Sequence, residues 1–289
     1  MKRLLAVLMI AVLALPLVIE AVRSMPATGA AAARPSPPLD GTCATSWVEA
    51  DRAFEAGEAR AARSPEEARG DFVAAAAAYG RAAEAHPSPI VLANLGTAHL
   101  RAGDTGRAIA ALRAALLLDP ASERARANLA EARRGIEGGA PPPEARTVDA
   151  LRAWWTPFGG DIRSIGWIAW CLGCAAIGLG AIDPEGPFRR ARAAGWLLAA
   201  FGCISLATVV IDRMAIVSDR TVVLTAAATP RSGNGLGFAP ARLAPCPAGT
   251  EGRLREERPG WTEVELADGT RGWVESDRVA SVAALLRAR

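Results

Sequence analysis

Few side chains in this 289-residue chain have the types and spacing that covalent chemistry needs. His86 and His99 are the two histidines, and neither joins a Cys, Asp or Glu cluster at metal-ligand spacing. His86 precedes Pro87 at an expected helix end, where an imidazole complements the helix dipole. No nucleophile elbow supports Ser-His-Asp catalysis. Gly233-Asn234-Gly235-Leu236-Gly237 does not join a strand to a helix, so it is not a phosphate cradle. Cys171-Leu172-Gly173-Cys174 has the spacing of a redox pair or half a metal site. It lies in an apolar run, and the thiolate is the reactive form, so packing is the plainer role; membrane thiol redox chemistry through Cys171 and Cys174 is the alternative. A bridge between Cys43 and Cys246 is open to the sequence but nothing in it requires one. The expectation is a non-enzyme, with no catalytic residue, metal or cofactor.

The elements around these residues follow from composition and periodicity. The chain is 51% hydrophobic and 22% charged, which excludes a disordered polypeptide. Five cysteines exclude a disulfide scaffold. A net charge of +3 gives no basic face for nucleic acid. The positive mean hydropathy, +0.17, suggests membrane spans mixed with soluble parts.

Residues 1–24 start with Met1-Lys2-Arg3 and run apolar over 4–19, the pattern of a secretory signal or an uncleaved N-terminal anchor. Residues 25–45 are rich in Pro, Ala and Ser and read as a linker. Residues 46–136 are Ala-rich and periodic at helical spacing. From Pro89 to Ser122 stand Leu92, Leu95-Gly96, His99, Gly103, Ala108, Leu112, Ala115 and Pro120. Leu92, Leu95 and His99 share one helix face, and small Gly96 and Ala108 allow close helix approach. The pattern resembles the ~34-residue tetratricopeptide (TPR) repeat.

The preceding stretch repeats the theme, with Trp47 and Phe54, then Ala75, Tyr79, Ala82 and Pro87. It holds about 12 residues more than the repeat needs, placed near 57–70, where Ser64 and Glu67 suit a capping box. Ala127-Asn128-Leu129-Ala130 echoes Ala93-Asn94-Leu95-Gly96, so 123–136 reads as a charged, solvating cap on two repeats.

Residues 137–161 form a second linker with interfacial Trp154, Trp155 and Phe158. Two uncharged runs, 165–182 and 193–211, each approach the ~20 residues that cross a bilayer. Transmembrane helices are expected over 162–182 and 193–211. The 183–192 loop between them carries Arg189, Arg190 and Arg192, which marks it as cytoplasmic. The helical repeats and the C-terminal part then share the extracytoplasmic side.

Residues 215–285 read as a small β domain. Thr221-Val222-Val223-Leu224 is an expected strand, Trp261 to Leu266 alternates apolar and polar, Asp268-Gly269 turns, and Arg271-Gly272-Trp273-Val274 returns. The order of these segments is similar to the bacterial SH3 (SH3b) domain. The expected fold class is a multidomain membrane protein: an α-helical TPR solenoid, a two-helix transmembrane hairpin and a small all-β SH3-like barrel.

Leader, repeats, two spans and SH3-like domain together resemble the BatE-type membrane proteins of bacterial aerotolerance operons. The resemblance implies a scaffold in the cytoplasmic membrane with extracytoplasmic soluble domains, working beside von Willebrand factor A-domain membrane proteins. The resemblance to TPR repeats places Asn94, Thr97, Arg101, Arg124 and Asn128 in a concave, partner-binding groove, where amide and guanidinium donors suit peptide carbonyls and carboxylates. Trp261 and Trp273 are the ligand-binding candidates of the SH3-like part. Peptidoglycan attachment through that part is the alternative function.

Overall fold

The computed structural model describes residues 41–136, 152, 155, 161–182 and 189–287. The leader of 1–24, the linker up to residue 40, Trp154, Phe158 and the bend at 183–188 lie outside these residues. Among them are seven helices: α1 (Gly41–Ala61), α2 (Pro65–Ala85), α3 (Pro89–Arg101), α4 (Thr105–Leu118), α5 (Glu123–Arg134), α6 (Asp161–Ile182) and α7 (Arg189–Val217). A five-stranded antiparallel sheet contains β1 (Thr221–Leu224), β2 (Glu251–Arg258), β3 (Trp261–Leu266), β4 (Arg271–Glu275) and β5 (Val279–Ser281), in spatial order β4-β3-β2-β1-β5. The chain divides into two compact units. One holds α6 and α7 up to Met214; the other holds α1 to α5 and everything from Ala215 onward.

Local chemistry sets the helix boundaries of the larger unit. Pro89 opens α3 where its missing N–H costs nothing, and the Ser88 hydroxyl accepts from the Val91 amide at 3.3 Å. Asp104 caps α4 by accepting from the Arg107 amide at 3.1 Å, and Ser122 caps α5 by accepting from the Ala125 amide at 3.3 Å. Gly103, at φ +80°, makes the turn between α3 and α4. A Cβ on Gly96 would sit 2.5 Å from Leu112 Cγ and 3.1 Å from the Ala108 carbonyl. Glycine here lets α3 and α4 approach over fully buried Leu92 and Leu112.

The surplus near 57–70 lengthens α1 and α2 to 21 residues each. Helical propensity explains this, since the insertion is mostly Ala, Glu and Arg. Ser64 precedes α2, but its side chain makes no capping hydrogen bond, so the capping box is not formed. In addition, α1 begins at Gly41, inside the stretch read as linker.

The strand pattern follows the side-chain alternation. Thr262, Val264 and Leu266 of β3 are buried and the residues between them are half-buried. Val264 and Leu266 pack with Val222, Leu224, Cys246 and Val274. Gly269, at φ +81°, completes the β3–β4 turn, and the Asp268 carboxylate accepts from the Thr270 amide at 2.9 Å. β2 runs through Arg258, longer than its alternation suggests, and β5 pairs with β1.

The helices and the sheet share one core. Fully buried Val223 and Val282 belong to the same cluster as Leu92, Ile109 and Leu112. A Cβ on Gly106 would sit 2.3 Å from the Leu224 carbonyl oxygen, so α4 meets the β1 backbone directly. Gly249, at φ +89°, lies beneath Ile109 and Ile136. Glu251 is 4% exposed, and Arg113 of α4 and Arg133 of α5 both pair with its carboxylate. The cap expected at 123–136 is therefore not only a solvated one: buried Ala125, Leu129 and Ala132 face the core, and Arg133 reaches the sheet. The reason is the apolar end of α4, which the sheet covers in place of a further helix.

The smaller unit inverts this logic. Gly166 of α6 approaches Ser205, Gly173 approaches Gly195 and Ala199, and Gly202 of α7 approaches Trp170. Small residues thus form the seam between α6 and α7, the usual device when lipid removes any hydrophobic drive to associate. Large apolar side chains point away: Ile168 is 61% exposed, Leu197 75% and Ile204 68%. Both helices are long and apolar enough to cross a membrane, and only 22% and 28% of their apolar windows are buried. A core helix of a soluble protein would be mostly buried. Arg152 pairs with Asp212 of α7 at 2.8 Å.

Candidate functional site

Residues of α1, α2, α3 and α5 line a groove. α1 contributes Trp47, Asp51, Phe54 and Glu55, α2 contributes Tyr79, α3 contributes Asn94, and α5 contributes Arg124. These seven residues line an open cavity of about 310 Å³. Helical spacing brings Trp47, Asp51, Phe54 and Glu55 to one side of α1. The Trp47 ring meets Tyr79 edge-on with centroids 5.6 Å apart, and Phe54 meets Phe72 at 5.3 Å. These contacts fix the aromatic wall.

The polar floor is asymmetric. The Tyr79 hydroxyl donates to the Asp51 carboxylate. Burial first, and Asp51 second, push the Tyr79 hydroxyl pKa up, against smaller opposing pulls from Arg124 and Asn94. The hydroxyl therefore stays protonated and remains a donor. Asn94 Oδ1 is buried and makes no hydrogen bond to a described residue. A buried carbonyl oxygen without a donor is a costly feature of the groove floor. Asp51 and Glu55 stand on the α1 wall and Arg124 on the opposite one, which gives the groove an acidic side and a basic side.

The five groove residues expected from the sequence fall into three situations. Asn94 and Arg124 line the cavity. Thr97 and Asn128 are engaged within the protein: the Thr97 hydroxyl donates to the Ala93 carbonyl at 2.7 Å, and Asn128 Nδ2 donates to Thr97 Oγ1 at 2.8 Å. They tie α3 to α5 below the groove. Arg101 continues the same face of α3 and pairs with Glu58 of α1 at 3.7 Å. Trp47, Asp51, Phe54, Glu55 and Tyr79 were not singled out as groove residues. For the four on α1 the signal in the sequence is their i, i+4, i+7, i+8 spacing; Tyr79 stands on α2.

In the sheet, Trp273 is 7% exposed and covered by the Arg258 guanidinium, 4.7 Å from the ring centroid. Its backbone bridges to Arg231. Trp261 is half-buried and lines a small cavity of about 140 Å³ with Arg231, Leu236, Glu275 and Arg278. Cys246 is a buried free cysteine whose thiol pKa burial pushes up, which disfavours the reactive thiolate. Cys171, Cys174 and Cys203 are free cysteines on α6 and α7.

His99 lies outside the groove, beside a larger cavity of about 590 Å³ lined by Val73, Ala76, Leu95 and Leu285 among others. Its Nδ1 is 3.6 Å from an Asp104 carboxylate oxygen. Burial is the largest influence and lowers its pKa, Asp104 opposes, and Arg107 adds to the lowering. No family model matches the chain, and neither the curated proteins nor the solved structures give a match.

Proposed function

We propose that this chain is a non-catalytic, membrane-anchored adapter that holds an extended segment of a partner protein in the groove between α1, α3 and α5. The single observation that carries the reading is the cavity of about 310 Å³ walled by Trp47 and Phe54 and lined by Asp51, Asn94 and Arg124. The aromatic rings take an apolar side chain, Asn94 and Arg124 hold peptide polar groups, and the two charged walls orient the chain. In this reading the helices are TPR repeats and the sheet is an SH3-like barrel. α6 and α7 form a transmembrane hairpin whose Arg-rich bend is cytoplasmic, so the larger unit lies outside the cytoplasmic membrane. The resemblance to BatE-type proteins supports partners of the von Willebrand factor A-domain class, and the scaffold raises the local concentration of whatever it holds.

The test uses the full chain in its native membrane with a photo-crosslinking residue at Glu55. The expected result is a discrete adduct with an envelope protein, lost or reduced about tenfold by Asn94→Ala or Arg124→Ala, as removal of one good polar contact predicts. An adduct pattern unchanged by both substitutions refutes the groove reading.

A further inference from the structure

We infer that the long β1–β2 connection, residues 225–250, is a membrane-contacting loop that presents apolar side chains to an anionic lipid surface. Leu236, Phe238 and Leu243 are 67%, 50% and 103% exposed. Three large apolar side chains left in water within eight residues need an apolar partner.

Their presentation is ordered. The Arg231 amide donates to the Trp273 carbonyl at 2.9 Å, and the Trp273 amide returns the bond at 2.7 Å. The Ser232 amide donates to the Ala239 carbonyl at 2.9 Å, and the Ala241 amide to the Pro230 carbonyl at 2.8 Å. The Arg231 guanidinium donates to the Phe238 carbonyl at 2.8 Å. A Cβ on Gly233 would sit 2.6 Å from the Phe238 ring, so glycine makes room for the ring at that place. The backbone is satisfied internally while the apolar tips face outward.

Charge and tethering select lipid as the occupant. From 220 to 250 the sequence contains no Asp or Glu, and its charged residues are Arg220, Arg231 and Arg242. Arg242 pairs with Asp268 at 3.1 Å, while Arg231 is held by a loop carbonyl rather than a carboxylate. Of the acidic residues near the sheet, Glu256, Glu257, Glu263 and Glu265 lie on β2 and β3, while Glu275 of β4 lines the small cavity beside Arg231 and Leu236 and Asp268 is taken up by Arg242. Aromatic and aliphatic tips flanked by arginine suit the headgroup boundary of an anionic bilayer. Three residues separate the end of α7 at Val217 from Thr221 of β1, so chain reach alone keeps β1 within about 14 Å of that helix end. A sheet on so short a leash from a membrane-spanning helix meets the lipid surface at very high effective concentration.

The inference goes beyond the groove reading and rests on the spans. The test incorporates p-benzoylphenylalanine at Phe238, at Leu243 and, as a control, at the exposed Val48 of α1 in the full chain. The protein is reconstituted in nanodiscs of phosphatidylcholine with about a third phosphatidylglycerol. After irradiation, mass spectrometry is expected to find lipid adducts at Phe238 and Leu243 at least about fivefold more often than at Val48, and fewer on pure phosphatidylcholine. Yields equal to Val48, or crosslinks to a second copy of the chain in place of lipid, overturn the inference. Equal yields on the two lipid compositions overturn its anionic component. Recovery of the chain in nanodiscs reports on the spans separately, so a failed crosslink in recovered protein counts against the loop alone.

Discussion

Replacing Glu251 by alanine tests whether the helices and the sheet are one cooperative structure. Glu251 is 4% exposed, and its carboxylate receives Arg133 Nε at 2.7 Å and Nη2 at 3.2 Å, with Arg113 on the same carboxylate. Removing one partner of a buried ion pair typically costs about 3–5 kcal/mol, because the remaining charge stays buried. Here the orphaned groups are two guanidiniums that are 25% and 32% exposed, and water recovers part of their loss. The expected cost is therefore nearer 2–4 kcal/mol, or a Tm lowered by about 4–16 °C for a unit of this size. The assay is urea and thermal unfolding of the full chain in detergent micelles, followed by far-UV circular dichroism and by tryptophan fluorescence. The parent protein should show coincident transitions for the larger unit. Glu251→Ala should separate them, with β-sheet signal lost first. The triple change Glu251→Leu, Arg113→Met and Arg133→Met should recover most of the stability, since apolar replacement removes the desolvation cost of all three charges. A loss below about 0.5 kcal/mol for Glu251→Ala is the size of a surface substitution and refutes the reasoning.

Gly96→Ala places a methyl 2.5 Å from Leu112 Cγ, and overpacking should outweigh the helical gain, lowering the urea midpoint by an amount equivalent to about 1–2 kcal/mol. Gly173→Leu should destabilise the α6–α7 pair in micelles, because a Cβ there already falls 2.6 Å from the Ala199 amide nitrogen, whereas Leu197→Ala, 75% exposed, should leave melting unchanged; the reverse order would mark a soluble core instead. The His99 pKa is lowered in the folded state, chiefly by burial. The unfolded chain therefore takes up a proton first, so the His99 contribution is complete above the unfolded pKa of about 6.5 and falls as pH drops below it. His99→Gln should flatten urea midpoints as pH falls below about 6.5, and an unchanged slope would sink that assignment.

The sequence by itself determined the elements. Apolar spacing at 3.6 residues placed the α3–α4 pair around Leu92 and Leu112, period-two alternation placed β3 to the residue at Trp261–Leu266, and two uncharged runs placed α6 and α7. These are local signals, carried by neighbours in the chain, whereas Asn94 and Arg124 became candidates only through the resemblance to TPR repeats. The tertiary structure decided what no local period encodes. Glu251 looks like one more charge at a strand end until Arg113 and Arg133, more than a hundred positions upstream, close on it. Thr97 and Asn128 look like groove residues until each is found bonded to the other, and Trp273 looks like a ligand platform until Arg258 covers it. Periodicity states which side of an element is buried. It does not state what buries it, because that partner is chosen by packing between segments far apart in sequence.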